Sequence, residues 1–243
     1  MATETGTFTR EEVQSAIATA QAGRVRTGVT AISIESLIRR RFGRLFDHAE
    51  MKRISAFARE NGVAMHLDGA RLFVASAYTG IDPADYASLF DTVYVSTWKC
   101  FSAPSGAILA GPHALLDGLF ETRRMFGGSL PGAWPLAALA LHFMDGFEER
   151  FALGVARGEE LKVALGGISG LRVQVIPDGS NDFELWVDED VDLGRMRTYM
   201  DKQGFELPQA SPFFHGFPVV VNGTLVRRPL AELVRAFEEA VRA

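Results

Sequence analysis

Strand-like and helix-like segments alternate through the first half of this 243-residue chain, and that alternation limits the folds open to it. Val29 to Glu35 reads as a strand. Residues 48–61 have helical spacing through Met51, Ile54, Phe57 and Ala58. Asp47 with Glu50 makes a capping-box-like start, and Gly62 is the stop. Val63–Leu67, Thr92–Ser96 and Gly106–Ala110 are further strands, and residues 70–78 a helix. Pro112 opens another helix at its first turn. The pattern predicts an α/β layer with a mostly parallel sheet. Such sheets bind ligands beyond the carboxyl ends of their strands. The second half changes character. Residues 132–165 read as mostly helical, followed by strands at 171–176 and 183–187, a helix at 190–203, a strand near 217–221 and a last helix over 229–241. This order predicts a smaller α+β domain, with the boundary near Asp145–Arg150 and domains over 1–145 and 146–243.

Bulk properties exclude several classes. The hydrophobic fraction of 47% suits a sizeable core. Net charge is −5, and Arg39-Arg40-Arg41 is broken at once by Phe42-Gly43, which argues against a nucleic-acid partner. The single Cys100 permits no intrachain disulfide and no cysteine cluster for a metal. Residues 1–12 are polar and lack an apolar signal core, and no run approaches a membrane span. The expectation is a soluble cytoplasmic protein with no metal, no nucleic acid and no membrane.

Chemistry concentrates at two strand ends. Lys99 is one of four lysines against 21 arginines and follows the strand Thr92–Ser96. Asp68, thirty-one residues earlier, ends the strand before it. A pyridoxal phosphate enzyme needs such a pair: a lysine to hold the aldehyde as a Schiff base, and a carboxylate to keep the ring nitrogen protonated. Trp98 and Phe101 are large and apolar, which predicts partial burial of Lys99 and a more nucleophilic amine. Residues 102–106 are small enough for a flat group to approach. The plainer readings are a surface lysine and a turn or N-cap aspartate. Arg71 falls in the first turn of a helix starting at Gly69, where a cation opposes the helix dipole. That conflict points to an anion, the alternative being an ordinary ion pair. Ser96 is either a phosphate donor or a plain strand-end serine. His66 shares a strand face with Asp68, as its support or as a core histidine. Gly127-Gly128-Ser129 is a helix stop or a loop reaching a neighbouring subunit's phosphate site.

The runs ISIESLIRRRFGRLFDHAEM (32–51), HLDGARLFVA (66–75), DTVYVSTWKCFSAPSGAILAGP (91–112) and RRMFGGSLPGAWPLAALAL (123–141) resemble the threonine aldolase and β-eliminating lyase group of pyridoxal phosphate enzymes. The resemblance covers residues 6–150 well and the remainder loosely. It implies the fold of the aspartate aminotransferase superfamily, with a cofactor-binding large domain and a small C-terminal one. It implies Lys99 as the Schiff-base lysine, Asp68 as the pyridinium partner, and Arg71 near the cofactor and the substrate carboxylate. Ser96 joins them as a cofactor contact. The implied reaction breaks the Cα–Cβ bond of a β-hydroxy amino acid, giving glycine and an aldehyde, in a homodimer or homotetramer. The alternatives are transamination, β-elimination, or an inactive relative with a structural or dimer-forming role. The chain departs from the family pattern in several places. It starts beyond the segment that carries the phosphate cup and the ring-stacking residue, so an incomplete large domain is expected. Pro131 stands near the place of the arginine after the double glycine. The small-domain arginine has no match in residues 217–228, with Arg227 out of register. The lysine motif, STWKCFSAPSG, differs from the common serine-lysine-glycine form.

Overall fold

A computed structural model describes residues 4–242. Residues 1–3 and 243, the extremes of the two expected domains, lie outside the described residues. The chain divides into two compact units, one of residues 1–41 and 45–147, the other of residues 42–44 and 148–243.

The first unit begins with helix α1 (Arg10–Ala22), in a stretch where the sequence suggested nothing. Thr9 caps it and Glu12 reaches back to the Thr9 N–H at 2.7 Å, a complete capping box. Strand β1 (Ala31–Glu35) leads to helix α2 (His48–Glu60). Asp47 caps α2, accepting from the Ala49 and Glu50 N–H groups. The expected return bond from Glu50 does not form, because that carboxylate instead accepts from the Arg10 N–H and pairs with Arg53. Met51, Ile54, Phe57 and Ala58 form its buried stripe. At its end Gly62 takes φ +65°, and the Val63 N–H bonds back to the Ala58 carbonyl at 2.9 Å, closing a Schellman motif.

Strand β2 (Ala64–Asp68) is followed by helices α3 (Leu72–Thr79) and α4 (Pro83–Ala87) and strand β3 (Thr92–Ser96). A single turn, α5 (Thr97–Cys100), precedes strand β4 (Ala107–Ala110). The sheet runs in the order β1-β2-β3-β4, parallel across the first three strands and antiparallel at β4. The short loop from α5 into β4 leaves no room for a crossover, so the chain can only turn back. Ile32, Ile34, Met65 and Leu67 point into the core formed with α1 and α2. The alternate residues Ser33, His66 and Asp68 are exposed or half-buried on the other face, which is polar at the ends of β1 and β2. Helices α6 (His113–Leu116), α7 (Leu119–Met125) and α8 (Trp134–Met144) complete the unit.

The predicted helix over 132–165 is two helices. Gly146, at φ +63°, separates α8 from α9 (Phe147–Gly166). The second unit then adds strands β5 (Leu171–Val175) and β6 (Asp182–Val187), helix α10 (Leu193–Lys202), strand β7 (Gly216–Val220) and helix α11 (Leu230–Ala240). Its antiparallel sheet has the order β5-β6-β7. Phe183, Leu185 and Phe217 from the sheet pack with Leu161, Leu165, Met196, Met200 and Phe237 from the helices.

Candidate active site

The carboxyl ends of β2 and β3 lie side by side, with Asp68 in register with Tyr94. Asp68 is half-buried, and its Oδ1 accepts from the Ala70 N–H at 3.2 Å. This local bond directs the carboxylate over the turn that leads into α3. Gly69 makes the turn possible, since a Cβ there would lie 3.0 Å from the Tyr94 carbonyl oxygen. The turn can therefore close down on β3 only without a side chain.

Helix α3 starts at Leu72, so Arg71 is its N-cap residue and not part of its first turn. Its side chain makes no capping bond, and no carboxylate pairs with it among the described residues. A half-buried guanidinium beside a helix start is thus available to an anion.

Lys99 lies on α5, directly after β3. Phe101 holds this turn in place. It is fully buried and meets Phe73 of α3 edge-on at 4.9 Å and Phe147 at 5.2 Å. The loop after it folds back, with the Thr97 N–H donating to the Gly106 carbonyl at 3.1 Å. Gly106 has φ +119°, and a Cβ there would stand 2.9 Å from the Thr97 hydroxyl. Lys99 is half-buried, as expected, but its neighbour Trp98 is not. It is 54% exposed, and the Lys99 ammonium lies over its ring at 5.3 Å.

Cys100 ties the two strand ends together. Its Sγ is 4.0 Å from the Ala70 carbonyl oxygen, which sets α5 against the Gly69–Arg71 turn. Burial pushes this thiol up to about 11, and the nearby charges of Arg71 and then Lys99 offset the rise only in part. Arg71 and Lys99 thus flank one thiol, although they are far apart in sequence. The thiol stays protonated at neutral pH and is no nucleophile there.

His66 does not support Asp68. Its Nδ1 is 2.8 Å from the Thr92 hydroxyl on the neighbouring strand. Ser96 is fully buried, and its hydroxyl has no hydrogen-bond partner among the described residues. A buried hydroxyl left unpaired is unusual and leaves Ser96 able to donate to a further group. The set fits pyridoxal phosphate in kind: an amine for the aldehyde, a carboxylate for the ring nitrogen, a guanidinium and a hydroxyl for acidic oxygens. Sequence reasoning missed Gly69, Thr92 and the Phe73–Phe101–Phe147 cluster. Spacing alone carries no sign of them, because each acts across a strand or between elements.

The profile of the beta-eliminating lyase family matches residues 1–181, and the chain belongs to that family. Among curated relatives, a low-specificity L-threonine aldolase from Candida albicans is 36% identical over 114 residues, covering 47% of this chain and 30% of that one. An alanine racemase from Cochliobolus carbonum is 37% identical over 105 residues, 43% of this chain and 26% of that one. A crystal structure from Listeria monocytogenes, assigned as an L-allo-threonine aldolase, superposes with a TM-score of 0.78 at 25% identity. That match covers 99% of this chain and 67% of the Listeria chain. The matched segments thus span about a third or less of these two curated relatives. The shared architecture is a mostly parallel sheet with a second, antiparallel one, as in the threonine aldolase structures. Among the described residues, no helix is long and apolar enough to cross a membrane.

Proposed function

We propose that this chain is a pyridoxal phosphate-dependent lyase of the threonine aldolase type, acting in the cytoplasm on a small β-hydroxy amino acid. The observation that supports this reading is that Asp68 ends β2 and Lys99 follows the neighbouring parallel strand β3, with Cys100 against the Ala70 carbonyl and under the charges of both Arg71 and Lys99. The threonine aldolase relatives support the same reading.

Pyridoxal phosphate, when bound, supplies a ring that accepts the electron pair left on the substrate α-carbon. Lys99 would hold its aldehyde carbon. Asp68 would keep a proton on the ring nitrogen, because a carboxylate next to a pyridinium favours the charged form. Arg71 binds the substrate carboxylate and so fixes which bond at the α-carbon faces the ring. Ser96, with its unpaired hydroxyl, would donate to an acidic oxygen of the cofactor. The Lys99 Nζ would also be the group to accept and return a proton at the substrate. The overall balance is simple. The Cα–Cβ bond breaks, the β-hydroxyl loses its proton as the aldehyde leaves, and the α-carbon gains one to give glycine.

A second reading keeps the cofactor and changes the reaction to transamination or β-elimination. The similarity to an alanine racemase supports it, since that protein's name describes different chemistry at the α-carbon. Product analysis separates the two. The purified chain, supplied with pyridoxal phosphate, is expected to form glycine and acetaldehyde from threonine, and Lys99→Ala to form neither. Pyruvate and ammonia from serine, or a keto acid from alanine, with no glycine from threonine, would establish the second reading instead. No product from any of the three would favour an inactive relative.

A further inference from the structure

We propose that a cavity within the second unit binds a small free amino acid with an aliphatic side chain. The cavity holds about 590 Å³ and is lined by residues of α9, α10, α11 and the edge of β7. That volume falls in the range of small-molecule pockets, roughly 300–1,000 Å³. Leu161, Met200, Leu207, Leu225, Leu233 and Phe237 give it an apolar lining. Every lining residue belongs to the second unit, while Asp68, Arg71 and Lys99 belong to the first.

The strand β7 is at the edge of its sheet, and Pro218 and Val220 bring its free side into the wall. The Val221 N–H donates to the Asn181 carbonyl and the Val187 N–H to the His215 carbonyl, so the odd-numbered residues of this segment bond to β6. The backbone groups of Pro218 and Val220 therefore point away from β6. Pro218 has no N–H, and the Asn222 side chain donates to the Val220 carbonyl at 3.3 Å. The Pro218 carbonyl and the Val220 N–H remain without a partner among the described residues. An edge with one acceptor and one donor cannot pair along a peptide strand. A small molecule carrying one donor group and one acceptor group satisfies both.

The charges of the lining select the same kind of molecule. Glu206 and Arg227 line the cavity, are exposed, and have no side-chain partner among the described residues. An amino acid offers an ammonium to Glu206 and the Pro218 carbonyl, and a carboxylate to Arg227 and the Val220 N–H. A purely anionic ligand would be repelled by Glu206, and a purely cationic one by Arg227. Arg228 is already engaged. It meets Glu232 at 2.8 Å and the Gln203 carbonyl at 2.6 Å, and lies over the Phe205 ring at 4.2 Å. These contacts tie residues 203–205 to the start of α11, so that wall of the cavity is in place before a ligand arrives.

Isothermal titration calorimetry of the full chain with L-leucine tests this. Saturable binding at one site per chain is expected. Glu206→Gln and, separately, Arg227→Gln should each weaken it about tenfold, while circular dichroism stays unchanged, since both side chains are exposed. Isocaproate, which lacks the ammonium, and isoamylamine, which lacks the carboxylate, should each bind about tenfold more weakly than leucine. Lys99→Ala should bind leucine as the wild type does. No heat of binding, an affinity indifferent to both variants, isocaproate or isoamylamine binding as well as leucine, or loss of binding in Lys99→Ala would overturn the inference.

Discussion

Cys100 sits where the two strand ends meet, and its thiol carries a consequence for pH. Burial raises it from 9.0 to about 11. The folded chain therefore keeps a proton that the unfolded chain releases above about pH 9. Stability contributed by this thiol is complete below that point and is lost as pH climbs toward 11. The gap corresponds to roughly 2–3 kcal/mol. Urea melts of the wild type and Cys100→Ala should converge over that range by this amount, and parallel curves would contradict it. At this scale the candidate residues rest on one-dimensional signals. Asp68 and Lys99 stand out because a strand end and a scarce residue type are visible in one dimension. The availability of Arg71 was suggested by its conflict with a helix dipole, although the helix begins three residues later than Gly69. The partner of His66 was not legible, because Thr92 reaches it only through the register of β2 and β3.

Single elements carry their own tests. The capping box at Thr9 satisfies two N–H groups at the start of α1. Thr9→Ala should cost about 1 kcal/mol in chemical denaturation of the first unit, and Thr9→Ser little of it. Gly216 opens β7, and a Cβ there would fall 2.0 Å from the Leu185 carbonyl oxygen, inside the ladder that pairs β6 with β7. Gly216→Ala should destabilise the second unit by at least about 2 kcal/mol, read by hydrogen exchange of β6 and β7, while the first unit's amides stay protected. An unchanged exchange pattern would show that the ladder gives way at no cost. Most strands could be read within one or two residues of their ends because their apolar runs are bounded by turn residues. Helix α1 could not, because its face buries only Val13 and so lacks the periodic stripe that marked α2. The break between α8 and α9 was hidden for the opposite reason: apolar residues continue on both sides of Gly146.

Across the whole molecule, two cores of different kinds are joined in one chain. A mostly parallel sheet has its buried face against α1 and α2, with Asp68 at the carboxyl end of β2 and Lys99 just beyond that of β3. An antiparallel sheet packs against α9, α10 and α11 around a separate core. The alternation of elements made this division readable, since strand–helix–strand order demands parallel pairing and two consecutive strands permit a hairpin. The exposure of α6, α7 and α8 was not readable, because an apolar helical pattern is the same whether its partner lies within the chain or outside it. Under the proposed function, Lys99 alone among the four lysines holds the cofactor aldehyde. Incubating the chain with pyridoxal phosphate, reducing with borohydride and mapping the modified peptides tests it directly. One modified lysine, Lys99, is expected, with the label lost in Lys99→Ala and reduced in Asp68→Asn. A label spread over Lys52, Lys162 and Lys202, or none at Lys99, would contradict it.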